Sequence, residues 1–158
     1  MTLFKSNTVL PEEFTTLRGD GVFLSFKEFQ PPDKAWGRVA LYRFGIHEEG
    51  CRVRAGLIDL RAGTTRHIIH YGGQIGYCVK PGFRGKSLAS KACLLIAPVA
   101  RYLGFEELWI TCNPENQASR RTCTKIGAQL VETIPVPPGN DLYARGERWK
   151  CRYLWKLY

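Results

Sequence analysis

The chain has no Cys-x-x-Cys pair, no Gly-x-Gly-x-x-Gly segment, no long hydrophobic run and no internal repeat or low-complexity tract. Each absence excludes a class. Six cysteines are present (Cys51, Cys78, Cys93, Cys112, Cys123 and Cys151), but without paired spacing they write neither a zinc ribbon nor a thioredoxin-type motif. Most sit in apolar segments, where a free thiol behaves as a small hydrophobe, so reduced thiols and no metal are expected. His67 and His70 have no third ligand nearby and read as ordinary strand side chains. The apolar stretch at 92–103 is broken by Pro98 and Arg101, so no membrane span is expected. Residues 1–10 lack a basic region leading into a long apolar core. No signal peptide is expected, and cytoplasmic residence is the default expectation. Without Gly-x-Gly-x-x-Gly after an early strand, a dinucleotide-binding oxidoreductase is disfavoured.

Acidic residues are also scarce: 14 Asp and Glu face 23 Lys and Arg, a net charge of +9. That balance favours anionic partners, and a phosphorylated cofactor and a nucleic acid satisfy it equally. With 158 residues, 44% of them hydrophobic, the chain is expected to form one folded domain over 1–158, with residues 1–20 as a polar arm holding one helical turn near 12–17.

Patterning along the chain predicts strands at 22–29, 37–47, 51–61 and 68–79, punctuated by Gly19-Asp20-Gly21, Pro31-Pro32-Asp33, Glu48-Glu49-Gly50 and Pro81-Gly82. The period then changes. Leu88, Cys93, Leu94, Ile96, Ala97, Ala100 and Leu103 fall near one side of a helix starting close to Gly85, kinked at Pro98 and closed by Gly104. A strand at 108–112, a helix at 116–125, a strand at 129–134, a proline-bearing loop at 135–146 and a last strand at 147–157 complete the order. The fold class is α/β (α+β): a mixed sheet with helices packed on it, in which residues 73–112 form a right-handed parallel strand–helix–strand unit.

The chemically informative stretch runs from Gly76 to Ala89, where a strand leads through a basic, glycine-bearing loop into a helix. Such a loop presents free backbone N–H groups at the positive end of a helix dipole, a site suited to pyrophosphate. Gly85 permits close approach of the backbone, and Arg84 and Lys86 add charge. Further on, Asn116 or Ser119 is placed to cap the second helix and still reach a ligand.

The segment Arg84-Gly85-Lys86-Ser87-Leu88-Ala89 resembles the phosphate loop of the GNAT superfamily of acetyl-CoA-dependent N-acetyltransferases, Gln/Arg-x-x-Gly-x-Gly/Ala, with Ser87 where the family usually has glycine. Residues 110–128 resemble the segment after that family's fifth strand, with Asn116, Ser119, Lys125 and Gly127 at the matching places. The resemblance spans 51–134 well and implies a mostly antiparallel sheet whose fourth and fifth strands splay around acetyl-CoA. It further implies that the pantetheine arm pairs with backbone at Tyr77, Cys78 and Val79, and that pyrophosphate rests on Arg84, Gly85, Lys86, Ser87, Leu88 and Ala89. The Val79 N–H would meet the thioester oxygen, and an amine of a small molecule or peptide would attack directly.

Two departures are visible. Cys123 stands where many family members carry a tyrosine acid, so it is the matching candidate proton donor, against a reading as helix packing. The short linker near 31–36 replaces the two helices that usually flank the acceptor. Asp141, Tyr143, Arg145, His70, Tyr71 and Glu115 are candidates around the acceptor. A monomer or homodimer without membrane or nucleic-acid partner is expected. The alternatives are a non-catalytic acyl-CoA sensor on this fold and a basic nucleic-acid-binding domain.

Overall fold

The computed structural model describes residues 9–158, so the first eight residues of the expected arm lie outside it. The strands are Thr16–Gly19 (β1), Val22–Gln30 (β2), Ala40–Glu48 (β3), Gly56–Ala62 (β4), Ile75–Val79 (β5), Glu107–Cys112 (β6), Gln129–Pro135 (β7) and Trp149–Lys156 (β8). Helix α1 is Leu88–Tyr102, α2 is Gln117–Lys125, and α3 is a four-residue turn, Asp141–Ala144. Strands β1 to β5 form one antiparallel sheet in chain order, and β6, β8 and β7 form a second, also antiparallel.

Strand periodicity decides which face is covered. Ala40, Tyr42, Phe44 and Ile46 of β3 and Ile58 and Leu60 of β4 are fully buried. They pack in one core with Ala92, Cys93, Ile96, Val99 and Ala100 of α1, at the three- and four-residue spacing of a helix face. Each large aliphatic side chain so buried contributes about 1.5–3 kcal/mol. The intervening residues point to the other face, which carries a charge ladder instead. There Arg43 makes a bidentate pair with Asp59, at 2.7 and 2.8 Å, and lies 3.5 Å from Glu28.

The two sheets meet at one corner and then part. Gln74, only 2% exposed, donates its backbone N–H to the Trp109 carbonyl and accepts the Trp109 N–H on its side chain, both at 2.7 Å. The Thr111 hydroxyl donates to the Tyr71 carbonyl at 2.6 Å. Beyond this corner no ladder joins β5 to β6. Past it, the Tyr77 phenol on β5 shares a 2.8 Å hydrogen bond with the Ser119 hydroxyl on α2 across the gap.

Four local expectations change. Residues 68–72 are a helical turn, Ile68–Gly72, with i→i+5 pairing from Gly73 N–H to the Ile68 carbonyl; strand begins only at Ile75. His67 and His70 therefore belong to that turn and not to a strand. The third expected strand begins at Gly56, later than residue 51. The arm contributes β1, which forms a hairpin with β2 around Asp20 and Gly21, and its helical turn is Glu12–Phe14. Helix α1 begins at Leu88, later than Gly85, and Leu94, expected on its apolar side, is exposed; the Leu94 carbonyl loses its helical donor at Pro98.

Candidate active site

A cleft of about 730 Å³ opens where β5 and α2 diverge. Its floor is Tyr77, Cys78 and Val79 of β5. One wall is the loop into α1, including Arg84, Gly85, Ser87, Leu88 and Ala89; the other is α2, with Asn116, Ser119 and Lys125. Among the expected cofactor residues only Lys86 is missing from its lining. Lys86 turns away to pair with Glu48 at 2.9 Å.

The backbone of β5 offers donors into this cleft. Lys80 donates its N–H to the Ala55 carbonyl, and Arg61 donates to the Gln74 carbonyl. In antiparallel pairing this register turns the even-numbered residues of β5 toward β4. The N–H groups of Tyr77 and Val79 consequently point to the free edge. Arg84 ties the loop to that same edge by donating Nε to the Val79 carbonyl at 3.0 Å.

The loop itself is an uncapped helix start. Gly85 has φ +85, a conformation that favours glycine, and the space a Cβ would enter is empty to 4 Å. Ser87, the residue preceding α1, also takes a left-handed φ of 60, and its side chain makes no capping bond. The first-turn N–H groups of Leu88, Ala89 and Ser90 have no intrahelical acceptor and carry the positive end of the α1 dipole. The Ser87 hydroxyl accepts from Lys125 Nζ at 2.5 Å, which joins the two walls of the cleft. Arg121 adds a further cation to the lining. Lys125, at a matching place of the family pattern, thus gains a contact that the sequence alone does not assign.

Cys123 is fully buried in the core and does not line the cleft. Burial pushes its thiol up to about 12, with the neighbouring Cys112 adding to the rise. Burial, reinforced by Cys123, likewise raises the Tyr77 phenol, which stays protonated. The Asn116 side chain accepts the Ser119 N–H at 3.1 Å and caps α2 from the mouth of the cleft.

A second cleft, of about 1110 Å³, lies on the side of the sheet that α1 does not cover. The linker over residues 30–39, shortened to one helical turn at Lys34–Trp36, forms one side; Leu41, Arg61, His67 and Asp141 form the other. His67 Nε2 stands 3.9 Å from Asp141, and its Nδ1 is 3.3 Å from the Asn140 amide. Of the residues expected near an acceptor, Asp141 reaches this cleft. Tyr143, Arg145, His70, Tyr71 and Glu115 line neither one. Tyr143 lies beneath Arg148, with 3.6 Å from guanidinium to ring centre, and His70 is bonded to the Arg66 carbonyl. Arg61 and His67 join Asp141 in this lining only through the fold, so no sequence pattern marks them as site residues. No helix among the described residues is long and apolar enough to cross a membrane.

Known proteins share this fold. The sequence pattern of the acetyltransferase (GNAT) domain matches residues 21–129, more than half of the chain. A probable GNAT-family acetyltransferase from Chromobacterium violaceum is 18% identical over 97% of this chain and 90% of its own, with a TM-score of 0.63. The microcin C7 self-immunity acetyltransferase MccE, solved with acetyl-CoA and AMP, is 17% identical over 73% of this chain, with a TM-score of 0.54. A Salmonella typhimurium acetyltransferase that modifies the N-terminal serine of ribosomal protein L7/L12 is 17% identical over 75%, with a TM-score of 0.56. The alignments span 61% of MccE and 64% of the Salmonella protein. No curated protein matches the chain. These identities speak for a shared fold, while the domain pattern extends from β2 into β7 and takes in both walls of the first cleft. The chain belongs to the GNAT acetyltransferase family.

Proposed function

We propose that this protein transfers an acetyl group from acetyl-CoA to an amine, with the CoA moiety in the first cleft and the amine entering by the second. One observation carries the reading: the free edge of β5 and the uncapped start of α1 face the same cleft. An edge strand is what an extended amide-bearing arm pairs with, and a helix start with cations beside it is what a pyrophosphate needs. Val79 or Tyr77 supplies the N–H for the thioester oxygen, where negative charge develops as the carbonyl is attacked.

His67, steadied by Asp141, is the proposed base. It accepts one proton from the acceptor ammonium; the freed nitrogen lone pair forms the new N–C bond; the C–S bond breaks; and the departing thiolate takes the second proton, shed by the acylated nitrogen, to leave as the CoA thiol. Cys123 has no part in this scheme, because a fully buried thiol held near 12 cannot meet a sulfur in the cleft. The same fact favours one second reading, an acyl-CoA-binding protein without turnover. A panel of amines incubated with acetyl-CoA separates the two: release of free thiol that depends on the amine supports transfer. Binding of acetyl-CoA with no amine-dependent release supports the sensor. Absence of any binding removes both.

A further inference from the structure

Resting on that acetyltransferase reading, the second cleft says what kind of amine it takes. Its lining brings together Asp33, Lys34, Arg38, Arg61, His67 and Asp141. Both carboxylates already have partners. Asp33 accepts the Ala35 N–H at 3.0 Å, and Asp141 stands 3.9 Å from His67 and 3.9 Å from Arg145. Arg61 is different. Its Nη1 donates to the carbonyls of Gly72 and Gly73, each at 3.2 Å, and no carboxylate among the described residues lies within ion-pair distance of it. The acid beside it on β4, Asp59, is bound bidentately by Arg43. Nε and Nη2 of Arg61 have no protein acceptor among the described residues.

A half-buried guanidinium without a counterion is costly, and the cost falls when a ligand brings the anion. Its position suits that role. The guanidinium packs against Gly76, where a Cβ would stand 2.8 Å from Nη2, and Gly76 is one residue before Tyr77 on the floor of the first cleft. A molecule gripped by Arg61 therefore lies beside the strand along which the thioester is proposed to run. Trp36, 77% exposed on the linker, offers an apolar surface to the carbon skeleton.

We propose that the second cleft selects amines that also carry a carboxylate, and that Arg61 is the residue that makes the selection. A carboxylate fits better than a phosphate monoester, because Arg61 presents a planar fork, Lys34 and Arg38 are exposed, and the two short helix starts at the cleft are capped by Asp33 and Asn140.

The test uses the full chain with acetyl-CoA and matched acceptors: β-alanine against β-alaninamide, γ-aminobutyrate against its amide, and O-phosphoethanolamine as the phosphate probe. The acids should exceed their amides at least about tenfold in kcat/KM, the size of one charge-assisted hydrogen-bonded contact. Arg61→Met should remove the preference through a raised acceptor KM, leaving the KM for acetyl-CoA in place, and Arg61→Lys should restore part of it. Equal rates for acid and amide, a preference for the phosphate probe, or no acetylation of any probe by protein that binds acetyl-CoA would overturn the proposal. So would an Arg61→Met variant that slows acids and amides alike, since that result marks Arg61 as a prop for the Gly72–Gly73 turn. Failure to bind acetyl-CoA would fall on the acetyltransferase reading itself, and on the proposal with it.

Discussion

The two clefts differ in how they are built. The first is made of consecutive chain: a strand, the loop after it and the helix that follows, with one wall from α2. Its donors are mainly backbone, fixed by the register of β5 and the start of α1. The second is assembled from the linker at 30–39, β4, the helical turn at Ile68–Gly72 and the start of α3, and its working groups are side chains. A cofactor site written in backbone tolerates a varied sequence, provided a few positions keep their conformation. The proposed acceptor site, written in side chains from separate segments, can change partner with one substitution.

Substitutions on either side sharpen this contrast. On the acceptor side, His67→Gln removes the proposed base while keeping a polar group of similar reach. It should lower kcat by about a hundredfold or more, the lower end for general base catalysis, with acetyl-CoA binding intact. A kcat within threefold of wild type would move proton removal to water or another residue. On the cofactor side, Cys123→Ala should leave kcat within a few-fold and cost on the order of 1 kcal/mol of stability, as for a small buried side chain. A hundredfold loss in kcat at unchanged Tm would make the thiol catalytic despite its burial.

The smallest effect is expected at Ser87. A left-handed conformation costs a non-glycine residue roughly 1–2 kcal/mol, and glycine returns about half of that gain through its freer unfolded state. Ser87→Gly should therefore stabilise the protein by about 0.5–1 kcal/mol, the exposed bond from Lys125 counting for little. A fall in Tm would mean that the Ser87–Lys125 link across the cleft matters more than the backbone strain.

The same contrast explains what could be read from the sequence. The strand–loop–helix at 75–102 and the α2 cap at Asn116 follow from local signals: a change of period, a basic glycine loop, an Asn three residues before Ser119. The turn at Ile68–Gly72 reads as strand because Ile68, Ile69 and Tyr71 favour strands, and only Gly72-Gly73 marks the break. β1 went unread because Leu17 is its one apolar residue. α3 carried an overlooked signal in Asn140, whose side chain accepts the Leu142 N–H at 2.9 Å. Arg61 carried none, since its lack of a carboxylate follows from Arg43 reaching Asp59 across the β3–β4 pair.

The central claim is that the loop from Arg84 to Ala89 holds the pyrophosphate of CoA. The most direct test is a calorimetric titration of CoA into the wild type and Gly85→Val, with the Tm of each measured alone. Valine at this left-handed position would project into space that is empty in the protein and that the ligand is proposed to fill. The expected result is tight binding by the wild type and at least a tenfold loss in Gly85→Val, with the variant still folded and its unliganded Tm lowered only as far as roughly 1–2 kcal/mol of lost stability from backbone strain requires. Equal affinity for CoA in the two proteins would contradict the claim and place the phosphates elsewhere.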